Sequence, residues 1–267
     1  MQLPVLGALA SVLAPMAGQE PLVSRPLDIS VDGHRIDTHF DLAMVAIAFL
    51  FIVMCTVMFI ALTRHRESVG ARAKYDHGAS RKATMGIVGL CLAIFFVVDG
   101  ALLVLSFADL HGKFWNFPTG KDTLEVEILG QQWGWNVRYP GPDEKFGTKD
   151  DVVLFNEMRV PTGRPVHLRM RSMDVIHAFW LPNFRIKQDV VPGMTTQMWF
   201  EAKEVGGPFD IGCAQHCGAN HYKMHGVIYV QDPQTFSQWY ATTSKDAERR
   251  FDETDVAGHW AWDWESK

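Results

Sequence analysis

Two long apolar runs fill the first half of the chain, and short alternating runs fill most of the second. From Leu42 to Leu62 there are 21 residues without a charge. As a helix rising ~1.5 Å per residue they reach about 30 Å, the thickness of a bilayer core. A second run from Ala83 to Ala108 has sixteen uncharged residues, then Asp99, then nine more. A buried helix of a soluble protein rarely stays uncharged on every face for that length. The pattern therefore predicts a transmembrane hairpin over residues 39–108, with Cys55 and Cys91 as small hydrophobes inside it. The connecting loop, 64–82, carries Arg64, Arg66, Arg72, Lys74, Arg81 and Lys82 against Glu67 and Asp76. Short basic loops stay cytoplasmic, so both termini are expected outside. Asp99 is costly in the second crossing and is expected to face a partner subunit or to lie near the outer end of its helix.

After the hairpin, residues 109–122 read as an interfacial linker, with Trp115 and Phe117 suited to the headgroup zone and Pro118 stopping the helix. Residues 123–232 hold short β-rich runs: Leu124 to Leu129, Val152 to Phe155, Pro165 to Met170, Met194 to Phe200 and Gly226 to Tyr229. Turn sequences such as G-P-D, P-T-G and V-P-G separate them, which predicts an antiparallel β-sandwich of about 110 residues. In the tail, 233–267, Phe236 to Phe251 has the pattern of an amphipathic helix. The terminal H-W-A-W-D-W fits docking onto a partner or the membrane interface.

Composition adds little until it is divided along the chain. The 267 residues are 48% hydrophobic, and the net charge of -5 is concentrated in the C-terminal half. That balance argues against nucleic acid and allows a basic protein partner. Residues 1–18 are apolar and end in small residues, like the tail of a secretory signal, although no Lys or Arg precedes them. No phosphate-binding Gly loop is present.

The chemistry lies in Cys213-Ala-Gln-His-Cys217-Gly-Ala-Asn-His221-Tyr-Lys-Met224. Two thiols, an imidazole and a thioether within twelve residues form a soft donor set that selects copper or zinc over magnesium or calcium. A disulfide between the cysteines, or structural zinc with a second histidine, remains open on ligand chemistry alone. The thioether favours copper, since zinc rarely takes one and copper electron-transfer sites use it as a weak axial ligand. His216 and His225 flank this set as ordinary hydrogen-bonded histidines.

C-x-x-x-C-x-x-x-H-x-x-M, preceded 36 residues upstream by Asp174-Val-Ile-His177, resembles the dinuclear copper A motif of cytochrome c oxidase subunit II. Gln132-Trp133-Gly134-Trp135 and Lys187-Gln-Asp189-Val-Val-Pro192-Gly193 extend the resemblance, which spans roughly residues 40–232. It implies a two-helix transmembrane hairpin followed by an all-β cupredoxin-like sandwich domain. It further implies that Cys213 and Cys217 bridge two copper ions, that His177 and His221 each cap one, and that Met224 and the Gln215 backbone carbonyl are weak ligands. The family's Glu at position 215 also reaches a magnesium or manganese ion at the subunit interface, and Gln215 weakens that expectation. Trp133 corresponds to the tryptophan at which electrons enter, while the family's next residue, Tyr, is Gly134 here. Asp143, Glu144, Asp150, Asp151 and Asp174 are candidate acids for a basic donor. The acid that opens a proton channel in many relatives is missing from Lys82-Ala83-Thr84.

The function implied is electron acceptance within a haem-copper terminal oxidase, an oxidoreductase and translocase. A periplasmic cytochrome c-type donor would deliver electrons to copper A, which would pass them to haem in the catalytic subunit I, where O2 becomes water. The expected surroundings are subunit I, other oxidase subunits and membrane lipid, in a bacterial inner membrane with the copper domain periplasmic. No C-x-x-C-H occurs, so the donor haem belongs to another protein. The alternatives are a quinol oxidase subunit II, disfavoured because every ligand position is filled, and a membrane-anchored copper chaperone or zinc-stabilised cupredoxin-like binding module.

Overall fold

The computed structural model describes residues 25–70, 77–78, 80–252 and 254. The apolar N-terminal segment and the tryptophan-rich terminus lie outside those residues. Helix α1, Gly33–Arg64, and helix α2, Arg81–Phe114, are both long and apolar enough to cross a bilayer. Ser80 caps α2 by accepting from Ala83 N at 3.2 Å. Both helices run further outward than the uncharged stretches predicted, and α2 takes up part of the expected linker. Partners for the polar residues of the extra turns explain the extension: Arg35 meets Asp109 at 2.7 Å and Lys113 meets Asp32 at 3.6 Å. Asp99 lies in the middle of α2, exposed on the isolated chain, rather than at its outer end.

The sandwich has ten strands: β1 Leu124–Gln131, β2 Gly134–Tyr139, β3 Val152–Phe155, β4 Glu157–Pro161, β5 Pro165–Ser172, β6 His177–Leu181, β7 Ile186–Val190, β8 Thr196–Glu201, β9 Gly206–Cys213 and β10 His225–Gln231. They form two five-stranded sheets, ordered β3-β2-β1-β5-β8 and β4-β10-β9-β6-β7. The hairpin-plus-sandwich architecture matches the expectation, but the sandwich is not purely antiparallel. β1 pairs with β5, and β4 with β10, in parallel. Both parallel pairs join strands distant in sequence, so no local turn signal announces them. β2, β4, β6, β7 and β9 were not anticipated. β9, Gly-Gly-Pro-Phe-Asp-Ile-Gly-Cys, has the composition of a turn and becomes a strand because β10 and β6 pair with it.

Alternate residues point inward and make the core. Val126, Ile128, Trp135, Val137, Leu168 and Met170 meet Met158, Val160, Phe179, Leu181, Ile211 and Ile228. Each such side chain contributes ~1.5–3 kcal/mol by leaving water. Trp135 and Phe179 cross the layers edge to face at 4.9 Å.

Three attachments seat the sandwich on the hairpin. The segment before α1 pairs with it through Ile29 N to Asn183 O (2.9 Å) and Val31 N to Glu201 O (3.0 Å). Arg185 binds Asp37 at 2.9 Å, and Trp199 Nε1 donates to Lys113 O at 3.0 Å. Helix α3, Pro233–Arg250, is capped by Asp232 and begins with proline. The helix docks on its own sandwich: Phe236 is buried, and Trp239 and Tyr240 pack against Tyr139. Tyr240 Oη and Ser244 Oγ also donate to the carbonyls of Gly141 and Asp150, holding the loop of residues 140–151.

Under that loop lies a buried ion cluster in which Arg138 Nε donates to Glu127 at 2.9 Å and Asp151 sits 3.8 Å from Arg138. Burial outweighs the donors around Asp151 and pushes its carboxyl from 3.8 up to about 6. The folded state holds this proton more tightly than the unfolded chain does, so its contribution to stability is full below pH 3.8 and lost as pH rises through about 6. Thermal unfolding of the full chain in detergent should therefore depend less on pH across this window in Asp151→Asn than in wild type. Parallel curves would refute the assignment.

Candidate metal centre

The strand register brings the donors together. β6 and β9 pair with Phe179 opposite Cys213. His177, two residues before Phe179, faces the same side, so the imidazole and the Cys213 sulfur converge although 36 residues separate them. Ala214 N donates to Ala178 O at 3.0 Å and fixes the turn out of β9. Residues 214–224 then loop back to β10 with Cys217 and Met224 buried beneath. Gly218, at φ +116°, allows the loop to press on the Trp133 ring; a Cβ there would lie 2.8 Å from Gln132 Nε2.

One donor atom each from His177, Cys213 and Cys217 lies within 4.8 Å of the others. The two Sγ atoms are 3.7 Å apart, far beyond the ~2.05 Å of a disulfide. That separation is less than twice the ~2.3 Å length of a metal–thiolate bond, so both sulfurs can hold one ion between them. Cys217 Sγ is 3.6 Å from His221 Nδ1 and 3.7 Å from Met224 Sδ. The Gln215 carbonyl lies 3.2 Å from Cys213 Sγ. All six predicted ligand residues thus gather at one end of the sandwich.

His177 carries the clearest sign of a metal ligand. Its Nε2 lies 2.8 Å from Asp174 Oδ1, a carboxylate that can only accept, so Nε2 bears the proton. Nδ1 is the nitrogen left on the side of the sulfurs: it is fully buried, and against that burial Cys213 and Asp174 raise the imidazole's pKa. A carboxylate holding the far nitrogen of an imidazole is the usual support of a ligating histidine.

The electrostatics favour a cation. Against its burial, the neighbouring His177 and the backbone around Ala178 and Gln215 hold the Cys213 thiol down to about 6. Burial, and then the Cys213 sulfur beside it, push Cys217 up to about 12. The two thiols oppose each other's ionisation, and a metal between them removes the opposition.

The remaining predicted residues divide. Trp133 is half-buried, and its Nε1 donates to the Cys217 carbonyl at 3.1 Å. Of the acids proposed to face a donor, Asp143, Glu144, Asp150 and Asp151 belong to the loop after β2, whereas Trp133 precedes that strand. Six residues of strand, roughly 20 Å, separate the two ends. Asp174 is at the site, but it turns inward to His177 and to Gln132 N at 2.7 Å. His216 stacks on His221 with centroids 5.6 Å apart, and His225 Nε2 binds Asp210 at 2.8 Å. The Gln215 amide donates to Asp189 at 3.3 Å. Sequence reasoning missed the orienting role of Asp174, whose only signal was its place three residues before His177.

Comparison with known proteins gives a consistent set of likenesses. A profile of the cytochrome c oxidase subunit II periplasmic domain matches residues 145–231. The alternative cytochrome c oxidase subunit 2 of Bradyrhizobium diazoefficiens is 31% identical over 233 residues, covering 79% of this chain and 81% of the relative. The cytochrome c oxidase subunit 2 of Synechocystis is 36% identical over 125 residues, 47% of this chain and 35% of that protein. Among solved structures, the periplasmic domain of cytochrome oxidase subunit II from Bradyrhizobium japonicum covers 48% of this chain and 97% of its own, at 29% identity and a TM-score of 0.42.

The Asp174 contact can be tested by metal retention. Asp174→Asn keeps the shape but loses the charge that holds His177 in one tautomer. Copper affinity in competition with a chelator should fall by ~10–100-fold. Unchanged retention would show that His177 needs no such support.

Proposed function

The chain belongs to the cytochrome c oxidase subunit 2 family, and from that premise we propose that its periplasmic domain holds a dinuclear copper A centre that receives electrons from a c-type cytochrome. As a member, it is a membrane protein with a periplasmic domain and a component of a haem-copper terminal oxidase, an oxidoreductase, bound to other oxidase subunits.

The observation that carries the copper reading is the donor count around the two sulfurs. Two bridging thiolates, two imidazoles, one thioether and one carbonyl are six donors, more than the four a tetrahedral zinc takes. Shared between two ions, they would offer each a sulfur-rich set completed by one nitrogen and one weak ligand. That set suits copper, and two coppers held there would supply one-electron redox chemistry.

The chain's own residues serve that purpose. His177, Cys213, Gln215 through its carbonyl, Cys217, His221 and Met224 would hold the ions. Buried Cys217 and Met224 keep water off one side. Asp174 fixes the His177 tautomer, and Trp133 connects the surface to Cys217 through one hydrogen bond. Electrons arriving at Trp133 would leave for haem in subunit I, where O2 is reduced to water. The basic loop between α1 and α2 supports a topology in which both termini and the copper domain would lie on the periplasmic side of a bacterial inner membrane. The Gln215 amide is not an anionic donor, so position 215 would contribute no carboxylate to a magnesium or manganese ion at the subunit interface.

Copper-loaded full chain should bind two coppers, be purple, and give a copper EPR spectrum with more hyperfine lines than a single ion can. A colourless, zinc-binding protein would sink the reading. Cys217→Ser should abolish the mixed-valence signal, whereas Cys91→Ser, in the membrane helix, should leave it intact.

A further inference from the structure

The hairpin pairs the charges at its outer end with one another and leaves one deeper charge out. Arg35 meets Asp32 at 3.1 Å and Asp109 at 2.7 Å, and Lys113 approaches Asp32 at 3.6 Å. Asp99 has no hydrogen bond or ion pair among the described residues. It lies about 15 Å along α2 from Asp109 and about 26 Å from Lys82, deep within a hydrocarbon layer about 30 Å thick. Lysine and arginine stems can carry a buried charge to the surface, whereas the single methylene of an aspartate cannot.

The backbone sets the direction in which Asp99 points. Phe95–Asp99 forms one wide π-helical turn, closed by Gly100 N donating to Phe95 O, with α-helix on either side. In the middle of the hairpin the part-buried positions are Ile94, Val98 and Leu102 on α2 and Ala43, Ala46 and Leu50 on α1, so these stripes face each other. Asp99 is one residue on from Val98, about 100° round the helix, and exposed. It looks away from α1, on a face continued by exposed Leu103 and Ser106. Toward the connecting loop the two helices part, and residues 51–64 and 84–93 are exposed on every side. Lipid offers a carboxylate nothing at that depth, so a membrane-buried acid turns to another protein group. The complement of an unpaired acid is a base.

We propose that Asp99 is an intramembrane docking residue: on the outward face of α2 it pairs with a basic side chain from a transmembrane helix of another oxidase subunit. A charge pair in hydrocarbon fixes the rotation and depth at which two helices meet, because a slip between them leaves both charges unpaired. The proposal rests on the chain's place among other oxidase subunits and not on the copper reading.

The oxidase assembled on an affinity-tagged full chain, purified from membranes in mild detergent, tests the pair. Asp99→Leu makes α2 more apolar, so insertion does not suffer. The partner subunits recovered per chain should nevertheless fall by about tenfold, because the base opposite is left unpaired in hydrocarbon. Asp99→Asn should fall as far, and Asp99→Glu should hold the partners. Near-UV circular dichroism of each purified chain should be unchanged, since the tryptophans of the sandwich lie outside the bilayer. A benzophenone side chain at Leu103, one turn along the same face, should crosslink to a transmembrane peptide containing Arg, Lys or His. Wild-type recovery of partners by Asp99→Leu would overturn the proposal and leave Asp99 facing lipid. Loss in Asp99→Leu with retention in Asp99→Asn would replace the ion pair by a neutral hydrogen bond and overturn it as well. Equal loss in Asp99→Glu, crosslinks to lipid alone or to a second copy of this chain, or an altered circular dichroism spectrum in Asp99→Leu would each do the same. None of these readouts depends on the metal in the sandwich, so the copper reading stands or falls separately.

Discussion

Two sulfur atoms 3.7 Å apart in a partly buried pocket oppose each other's ionisation, and only a cation between them relieves the opposition. Around this constraint the copper end of the sandwich is organised. The β6–β9 register sets Cys213 against His177, and the turn after β9 returns Cys217 four residues later to face it. His177 is buried with one nitrogen tied to Asp174 and the other turned to the sulfurs, the orientation of a ligating imidazole. Cys213 ionises readily and Cys217 does not, so an arriving cation meets one ready thiolate and must displace the proton of the second.

A rigid frame holds these donors because electron transfer benefits from ligands that move little between redox states. Strands supply His177 and Cys213. The loop bearing the other ligands is tied down by Trp133 and Gln132, both donating to the Cys217 carbonyl. The domain is in turn anchored to the hairpin through the segment before α1, through Arg185 with Asp37 and through Trp199 with Lys113. At the far end of β2, helix α3 closes the loop of residues 140–151 over a buried ion cluster. The acids of that loop are thus gathered at the end of β2 away from the sulfur cluster.

The cluster of candidate metal-ligating side chains and the two long apolar helices were legible in the amino-acid sequence because both depend on short-range features. Length without charge is enough for a bilayer helix, and donor types at close spacing are enough for a metal motif. The extra helical turns were not legible, since Arg35, Asp109, Lys113 and Asp32 find one another only when α1 and α2 lie side by side. Five of the ten strands escaped for the same kind of reason. β9 is a glycine- and proline-rich run that becomes a strand only between its neighbours.

The sequence by itself determined the two apolar helices, the β class of the domain that follows and, through resemblance, the family and a candidate ligand set. The tertiary structure alone decided what the uncommitted residues do. Asp174, counted among acids that might greet a donor, serves the back of a histidine, and Asp151 is buried beside Arg138. Gly134, a lost aromatic in the sequence, is covered by the ring of Phe155 from another strand. For Asp151 and Gly134 the physical reason is the same: the partner is set by strand pairing and burial, and neither is encoded by the residues next to it. Asp174 meets a residue three positions on, but only the burial of His177 turns that spacing into a fixed contact.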